Sequence, residues 1–497
     1  MDTPVENTWN ADENTNVASA LSWQARRQPN ATAIHYTSTG RFGKESWQSC
    51  TYQELDELSN TYARGLKEYG IGQGVRTALM LTPGLDFFAM FFALFKAGAV
   101  PVLIDPGIGM KPLKECLAEA EPKAFIGVTK AQIARKILGW AKKSCELMVT
   151  AGPKFGTGGI NLKKLRELGE QGSGELLADV KPNDMAAILF TSGSTGVPKG
   201  VVYRHRHFNA QVQLLKNAFD IEPGEVSLPT FPPFALFDPA LGMTTVVPVM
   251  DPTRPADADP EKLLEAIDKF KVTNVFGSPA LLDTLSRYCV DKHIRIESVT
   301  RVISAGAAVP IRTIRRMKNS LYQDAEIHTP YGATECLPVS SISASELDDK
   351  MVDRIESGDG VCVGRPIEPN DVRIIKISDM AYNSLSEATE IPFGMPGEII
   401  VSGPTTTDGY WKRDAATEMA KIRDNDGRIW HRMGDAGILD GQGRLWYCGR
   451  VSQRIDTGKE VLFADQCEAI FNQHPDLKRS AVVGVGERGR QMPVLCI

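Results

Sequence analysis

The chain has 497 residues, of which 42% are hydrophobic and 24% are charged, and its formal net charge is −5. This composition is typical of a globular protein, and the length predicts two or three domains or subdomains. The negative charge argues against broad electrostatic binding, so we expect no nucleic-acid partner. The nine cysteines include no C-x-x-C pair, which disfavours zinc ribbons and disulfide frameworks and favours a cytoplasmic location.

The N-terminal segment, residues 1–16, is polar and lacks the basic and apolar regions of a signal peptide. The most hydrophobic stretch, residues 85–104, is interrupted by Lys96, Gly98 and Pro101. It predicts a buried helix and a buried strand, with a membrane span as the weaker alternative. We expect no transmembrane segment, and peripheral membrane association stays open.

The first third of the chain shows helices and strands in alternation. Thr51 and Glu54 have the spacing of a capping box, so Thr51 is predicted to begin a helix. Alternation from residue 75 to residue 128 is typical of parallel β/α units. Residues 130–180 give no clear pattern, and the glycine-rich stretch 152–159 predicts a loop. The predicted elements are helices at 17–27, from 52, at 86–96 and at 112–120, and strands at 33–36, 77–81, 100–104 and 124–128.

A second alternating run follows residue 185, and short strands dominate after about residue 360. The proline-rich segment 228–242 predicts extended backbone and no regular element. We therefore predict an α/β protein with a large N-terminal domain, residues 1–449, made of two β/α subdomains plus a small β-rich subdomain. A short or truncated C-terminal α+β domain is predicted at 450–497. The predicted elements are strands at 185–190, 201–203, 272–276, 299–304, 372–377, 397–401 and 481–485, hairpins in 430–450, and helices at 206–219, 260–270, 279–288, 312–320 and 464–471.

A glycine- and hydroxyl-rich loop lies between the strands predicted at 185–190 and 201–203. Its small residues let several backbone N–H groups converge, and Lys199 adds a positive charge, so the loop suits a polyphosphate. Gly200 stands where a Walker A motif requires Ser or Thr. The alternative is a glycine-rich surface hairpin. The candidate phosphate-binding residues are Thr191, Ser192, Gly193, Ser194, Thr195, Gly196 and Lys199.

A second motif is Tyr331-Gly332-Ala333-Thr334-Glu335. The tyrosine offers a ring face for adenine, and Gly332 lets the backbone approach a ligand. Thr334 can donate to a phosphate, and the Glu335 carboxylate is a hard oxygen ligand for Mg²⁺. The alternative is a Tyr-Gly turn with a solvated glutamate.

Together these motifs resemble the adenylate-forming superfamily of acyl-CoA ligases, luciferases and peptide-synthetase adenylation domains. The resemblance implies that adenine lies over the small residues Gly306, Ala307 and Ala308. It implies that Asp435, within an R-x-G-D segment, binds the ribose hydroxyls, a role that suits a carboxylate. It also implies that Arg450 reaches ribose or phosphate at a hinge. ATP and Mg²⁺ are the implied cofactors.

The sequence departs from the superfamily pattern at three points. Thr329 stands where relatives often place Asn or Asp near adenine, and Ser452 stands where they usually have Asp or Lys. Relatives also carry a lysine late in the C-terminal domain that contacts the carboxylate and the α-phosphate. The printed sequence ends before a matching pattern. Either it ends early, or this branch manages without that lysine.

Further stretches resemble one branch, the β-lactone synthetases of olefin biosynthesis (OleC type). They are residues 201–208, 231–242, 250–255 and 329–338. This resemblance implies ATP-dependent activation of a 2-alkyl-3-hydroxy fatty acid to its acyl-adenylate and intramolecular closure to a β-lactone, with release of AMP and pyrophosphate. It implies a hydroxy fatty acid substrate and, as partners, other enzymes of an olefin-biosynthesis assembly.

An apolar segment is expected to line the acyl pocket. By resemblance, Ala235 occupies the place of a His or a bulky aromatic residue beside the thiol tunnel of many acyl-CoA ligases. His205 is placed in the same pocket and, with Lys199, Thr334 and Glu335, among the catalytic residues. The candidate lining residues are Phe231, Phe234, Ala235, Leu236, Phe237, Met243 and Phe276.

Two other functions stay open at this point. A long-chain acyl-CoA or acyl-carrier ligase would share the first half-reaction. An inactive adenylate-binding scaffold subunit would explain the missing C-terminal lysine.

Overall fold

The structure is a computed structural model that describes residues 15–39, 45–191, 198–477 and 479–497. The chain forms two compact units. The boundary expected at residue 450 lies inside the second of them and stays a prediction. Unit 1 comprises the chain up to Thr300, Ser320–Tyr322 and Tyr410–Lys412, and unit 2 comprises Arg301–Asn319, Gln323–Gly409 and Arg413–Ile497.

The helices and strands of the described residues are numbered here in chain order. The α-helices are α1 Ser19–Arg27, α2 Tyr52–Glu68, α3 Leu85–Lys96, α4 Met110–Ala120, α5 Thr129–Leu138, α6 Leu162–Gly169, α7 His205–Ala218, α8 Pro232–Ala235, α9 Asp238–Leu241, α10 Pro260–Phe270, α11 Pro279–Lys292, α12 Ile311–Ser320, α13 Asp349–Glu356, α14 Asp414–Ala420 and α15 Ala464–Phe471. The strands are β1 Thr32–Thr39, β2 Glu45–Thr51, β3 Arg76–Met80, β4 Val100–Ile104, β5 Ala124–Val128, β6 Leu147–Ala151, β7 Ile160–Asn161, β8 Met185–Thr191, β9 Lys199–Arg204, β10 Val226–Pro229, β11 Thr244–Val246, β12 Asn274–Gly277, β13 Arg301–Ser304, β14 Glu326–Ala333, β15 Cys336–Ser343, β16 Val361–Cys362, β17 Arg365–Pro366, β18 Asp371–Ile375, β19 Gly397–Ser402, β20 Lys421–Arg423, β21 Ile429–Leu439, β22 Leu445–Arg450, β23 Ile455–Asp456, β24 Val461–Leu462, β25 Ala481–Val485 and β26 Met492–Cys496.

Unit 1 contains two β/α layers. A seven-stranded sheet has the order β7-β6-β5-β3-β4-β8-β9. Its neighbouring strands are parallel except for β8 and β9, which are antiparallel. A second group has the order β12-β10-β11-β1-β2, parallel except for the β1–β2 pair. These mostly parallel sheets need helices on their faces, which the α/β alternation of the sequence supplies.

Unit 2 is richer in antiparallel strands. β13 and β14 are parallel, whereas β14–β15 and β15–β17 are antiparallel. A six-stranded sheet has the order β16-β22-β21-β19-β18, with β20 paired to β21. Val372, Ile399 and Leu445 belong to the buried hydrophobic core of this sheet. The predicted α/β class and the predicted change to β structure after residue 360 are therefore confirmed.

Local sequence signals placed many elements correctly. The Thr51 hydroxyl accepts a hydrogen bond from the Glu54 N–H at 3.2 Å, and the Glu54 carboxylate accepts the Thr51 N–H at 2.8 Å. The predicted capping box of α2 is therefore present. Residues 85–104 form the buried helix α3 and the strand β4. Among the described helices, none combines the length and the hydrophobicity needed to cross a membrane.

The prediction of extended backbone at 228–242 is wrong for its central part, which forms the short helices α8 and α9. The prolines of this segment favour extended backbone, because proline lacks the N–H that an internal helical position donates. Pro232, Pro233 and Pro239 lie in first turns, where the missing N–H would have no intrahelical partner. The unclear segment 130–180 contains α5, β6, β7 and α6.

Candidate active site

The predicted phosphate loop joins two paired strands of unit 1. β8 and β9 are antiparallel, with Thr191 opposite Lys199, so the two strands predicted to flank the loop are confirmed. A Cβ atom at Gly200 would lie 2.9 Å from the Ile188 Cγ2 atom, which explains why glycine follows the lysine. The loop residues Ser192, Gly193, Ser194, Thr195 and Gly196 lie outside the described residues.

Lys199 is held by a segment that is distant in sequence. The backbone N–H of Trp411 donates to the Gly200 carbonyl at 2.7 Å, and Tyr410 forms a β-bridge with Val201. The Lys199 Nζ atom consequently lies 4.9 Å from the centroid of the Tyr410 ring, within cation–π range. The sequence reasoning missed Tyr410, because nothing local links it to Lys199.

His205 begins α7 and is 2% exposed. Its Nδ1 atom lies 3.5 Å from the Val17 N–H, and its ring meets the edge of Phe95 at 6.0 Å. Burial lowers the pKa of His205 to about 4. The imidazole is therefore neutral at pH 7 and packed inside unit 1, and its catalytic role stays a prediction.

Four of the predicted pocket residues form one aromatic cluster. Phe234 stacks on Phe276 with ring centroids 4.2 Å apart, and it lies 5.7 Å from Phe231 and 6.5 Å from Phe237. Phe231 is exposed and the other three rings are half-buried, so the cluster presents apolar surface. The other predicted lining residues are buried, namely Ala235, Leu236 and Met243.

An unpredicted carboxyl group lies directly after this aromatic segment. Asp238 is 6% exposed, and its Oδ2 atom accepts a hydrogen bond from the Thr245 hydroxyl at 3.3 Å. Burial raises the pKa of Asp238 to about 8, against the opposing effect of the Ser227 and Thr245 hydroxyls. Asp238 is therefore mainly protonated at pH 7. An aspartate inside an apolar run was the signal that could have identified it.

In unit 2, three predicted nucleotide-binding residues meet. The Tyr331 hydroxyl donates to the Asp435 Oδ2 atom at 2.7 Å, and the Arg450 guanidinium donates to Asp435 Oδ1 at 2.8 Å. The β21–β22 pairing places Asp435 directly opposite Arg450. Asp435 is 3% exposed, so this contact is an interior feature of the unit.

Burial raises the pKa of Asp435, and the Arg450 charge and the Tyr331 hydroxyl oppose that rise. Burial and the Asp435 carboxylate raise the pKa of Tyr331 well above its usual value, so the phenol stays a hydrogen-bond donor. Each carboxylate oxygen accepts one protein hydrogen bond and keeps capacity for another. The pair of remaining acceptor positions suits a vicinal diol such as that of ribose.

Glu335 lies in the turn between β14 and β15. Its backbone carbonyl accepts two hydrogen bonds from Thr407, from the N–H at 2.9 Å and from the hydroxyl at 3.0 Å. A Cβ atom at Gly332 would lie 2.9 Å from the Cys336 carbonyl, so glycine lets this hairpin close. A single carboxylate on an anchored turn fits Mg²⁺, which takes one or two protein carboxylates together with phosphate oxygens.

Thr407 and Lys421 are site neighbours that the sequence reasoning missed. The Lys421 ammonium donates to the Thr407 hydroxyl at 3.2 Å and is nearly buried. Burial lowers the pKa of Lys421 to about 8, while the charges of Glu335, Cys336 and Asp408 oppose that shift. The run of three threonines at 405–407 was the available signal.

The remaining candidates of unit 2 follow β13 or lie at the tip of the β14–β15 hairpin. Gly306, Ala307 and Ala308 follow the carboxyl end of β13 and are exposed. Because β13 and β14 are parallel, that end lies at the same sheet edge as the later residues of β14. Ala333 and Thr334 are half-buried at the tip of the hairpin. Lys199, His205 and the aromatic cluster belong to unit 1, whereas Tyr331, Glu335, Asp435 and Arg450 belong to unit 2.

Comparison with known proteins gives close relatives. Residues 21–411 match the family described as AMP-binding enzyme. The olefin beta-lactone synthetase of Xanthomonas campestris pv. campestris is 51% identical over 97% of this chain and 86% of that protein. The olefin beta-lactone synthetase of Stenotrophomonas maltophilia is 51% identical over 97% of this chain and 87% of that protein. A 4-chlorobenzoate–CoA ligase of Arthrobacter is 26% identical over 94% and 82% of the two chains.

Solved structures share the fold. The amide bond synthetase McbA of Marinactinospora thermotolerans superposes with a TM-score of 0.77 at 21% identity, over 96% of this chain and 88% of that one. ATP-bound MatB of Rhodopseudomonas palustris gives a TM-score of 0.76 at 21% identity, over 97% and 88%. The resemblance drawn from the motifs is thereby confirmed, and this chain belongs to the family of AMP-binding, adenylate-forming enzymes.

Proposed function

We propose that this enzyme activates a 2-alkyl-3-hydroxy fatty acid with ATP and closes the resulting acyl-adenylate to a β-lactone. Pyrophosphate leaves in the first step and AMP in the second. The observation that carries the proposal is the 51% identity to two olefin beta-lactone synthetases over 97% of this chain. The more distant CoA ligase shares only 26% identity, which favours the lactone-forming branch.

In the first half-reaction, the substrate carboxylate attacks the α-phosphorus of ATP, and the bond to pyrophosphate breaks. Both reactants are anions, so positive charge lowers the barrier. Lys199 supplies such a charge at the start of β9. Glu335 would hold Mg²⁺, which when bound offsets phosphate charge. Asp435 accepts from the ribose hydroxyls, and its bonds to Tyr331 and Arg450 orient it for that role.

In the second half-reaction, the 3-hydroxyl of the same molecule attacks the acyl carbon and gives up its proton to the solvent. The bond between the acyl carbon and the AMP oxygen breaks, and AMP leaves. A nucleophile tethered to the electrophile reaches effective concentrations on the order of 10⁵ M in well-oriented cases. The activated acyl group offsets the strain of the four-membered ring. CoA is therefore not required.

The aromatic cluster supports an alkyl-bearing substrate. Phe231, Phe234, Phe237 and Phe276 present adjoining ring surface that can receive hydrocarbon. Ala235 is buried and has a small side chain. It therefore lacks the imidazole or bulky ring that many acyl-CoA ligases place beside the thiol tunnel. We also propose a cytoplasmic location, since all nine cysteines are free thiols. Association with other enzymes of olefin biosynthesis is part of the same proposal, as is the assignment of residues 450–497 to a mobile small domain.

The test is an incubation of the full chain with ATP, Mg²⁺ and a 2-alkyl-3-hydroxy acid in the absence of CoA. We expect β-lactone, AMP and pyrophosphate in equal amounts. The matched control is the 2-alkyl acid that lacks the 3-hydroxyl, which should give pyrophosphate exchange without lactone. A thioester formed only when CoA is added would identify an acyl-CoA ligase instead. Absence of pyrophosphate with every carboxylate tested would identify a scaffold subunit.

A further inference from the structure

One surface of unit 1 has no role in the proposed chemistry. It is formed by α5 and the following loop at 152–159, and it is called the α5 surface below. The inner side of α5 is well anchored. Gln132 is fully buried and donates to the carbonyls of Phe125 and Val149 at 3.1 and 3.0 Å. The position of the helix is therefore set by the sheet beneath it.

The outer side of the α5 surface exposes large apolar side chains. Ile137 is 75% exposed and Phe155 is 77% exposed. Ile133 and Leu138 are each 37% exposed. All the large aliphatic side chains of α5 therefore lie in contact with solvent, which is unusual for a helix that packs on a sheet.

Hydrogen bonds join the helix to the loop. The Thr129 hydroxyl donates to the Pro153 carbonyl at 2.8 Å, and the Lys136 ammonium donates to the Gly156 carbonyl at 3.0 Å. Positions 129, 133, 136 and 137 lie along one stripe of an α-helix. The stripe that carries Ile133 and Ile137 is therefore the one hydrogen-bonded to the loop, on both sides of Phe155 in the sequence.

The charge of this surface is opposite to that of the chain. Residues 129–159 contain six lysines or arginines and one acidic residue, Glu146, although the whole chain has a net charge of −5. Glu146 itself pairs with Lys123 at 3.8 Å. The exposed lysines of the α5 surface are Lys130, Lys136 and Lys154, and Lys142 and Lys143 are exposed in the turn between α5 and β6.

We propose that the α5 surface docks on an anionic lipid membrane, with Ile137 and Phe155 inserted at the headgroup level and the lysines against anionic headgroups. Apolar side chains within a basic surface are the pattern of an interfacial membrane contact. A second copy of this surface would bring like charges together. A nucleic acid would use the lysines and leave the apolar side chains unexplained. The inference stands independently of the lactone-forming function.

The test is sedimentation of the full chain with vesicles of phosphatidylglycerol and phosphatidylcholine, and with vesicles of phosphatidylcholine alone. We expect binding to the anionic vesicles, weaker binding to the neutral ones, and a decrease with salt. Ile137→Ser with Phe155→Ser should lower the partition coefficient by about tenfold or more. Each of Lys130→Gln and Lys154→Gln should lower it by about fivefold.

Matched controls come from exposed residues of unit 2. Phe393 and Met380 are 74% and 73% exposed, and Phe393→Ser with Met380→Ser should leave vesicle binding unchanged. Lys350→Gln is the corresponding charge control. An unchanged thermal midpoint shows that each variant is folded. The proposal is overturned if the parent does not bind anionic vesicles, or if the Ile137 and Phe155 variant binds them as the parent does. Vesicle binding that is the same in that variant as in the parent, together with binding of the parent to duplex DNA, would identify a general polyanion site instead.

Discussion

The Tyr331 hydroxyl donates a hydrogen bond of 2.7 Å to the Asp435 carboxylate, which lies 104 positions later in the chain. The second carboxylate oxygen accepts from Arg450 at 2.8 Å. Asp435 is therefore oriented through both oxygens before any ligand arrives. A carboxylate held in this way loses little conformational freedom when it accepts a diol, which favours nucleotide binding.

Asp435→Asn should raise the KM for ATP by about tenfold or more, because a charge-assisted acceptor of the proposed ribose contact is lost. Tyr331→Phe is the matched change, since it keeps the ring and removes only the hydroxyl. We expect about a fivefold rise in KM for that variant. ATP–pyrophosphate exchange measures both. Equal effects, or no effect of Asp435→Asn, would count against the assignment of Asp435.

Lys199→Ala should lower kcat/KM for adenylation by about a hundredfold or more, because the proposed phosphate contact loses its positive charge. Tyr410→Leu removes the ring that lies 4.9 Å from the ammonium and leaves the lysine in place. Its expected loss is about two- to fivefold. Pyrophosphate release under single-turnover conditions checks both values. Unchanged ATP turnover in Lys199→Ala would remove that lysine from the phosphate site.

Glu335→Ala should abolish pyrophosphate release, since the proposed Mg²⁺ ligand is removed. Glu335→Gln should shift the Mg²⁺ dependence of the rate to higher concentration, by about tenfold. A titration of the exchange rate with Mg²⁺ measures this shift. A Glu335→Gln variant with the parent's Mg²⁺ dependence contradicts the metal assignment.

Thr407→Val should slow adenylation by about fivefold, because it removes the hydroxyl that donates to the Glu335 carbonyl at 3.0 Å. It also removes the acceptor of the buried Lys421, so the thermal midpoint should fall. Thr407→Ser retains the hydroxyl and should behave like the parent in both measurements. Loss of activity in the serine variant as well would show that the methyl group, and not the hydroxyl, matters.

Asp238 should make the stability of the protein depend on pH. Burial raises its pKa to about 8 from an unfolded value near 3.8. The folded state then binds the proton of Asp238 more tightly than the unfolded state does. The stabilising contribution of Asp238 to the unfolding free energy is therefore fully present below pH ~3.8 and is lost as pH rises to about 8. The slope is about 1.4 kcal/mol of unfolding free energy per pH unit.

Asp238→Asn removes this titration while keeping an oxygen acceptor for Thr245. The difference in unfolding free energy between parent and variant, measured by denaturant titration at several pH values, should therefore change steadily across this window. Parallel pH profiles for the two proteins would show that Asp238 is not buried as a neutral acid.

Short-range signals in the sequence were sufficient for much of this protein. The capping box of α2 joins Thr51 and Glu54, which are three residues apart. The strands β8 and β9 correspond to two apolar runs that a short stretch of small residues separates in the sequence. The chemistry of their motif identified Tyr331 and Glu335 as site candidates, and the resemblance to the adenylate-forming superfamily identified Asp435 and Arg450. The adenylate-forming fold follows from the same motifs.

Contacts between distant segments were decided only by the tertiary structure. Tyr410 reaches Lys199 because it forms a β-bridge with Val201 of β9, and Thr407 bonds to the Glu335 carbonyl in the turn between β14 and β15, 72 positions away in the chain. Neither relationship has a local sequence pattern. The burial that protonates Asp238 and lowers the pKa of Lys421 likewise depends on how many remote side chains exclude water from each group. Sequence alone determined which residue types are available for the chemistry, and packing determined their charge and their partners, because desolvation is a property of the folded chain.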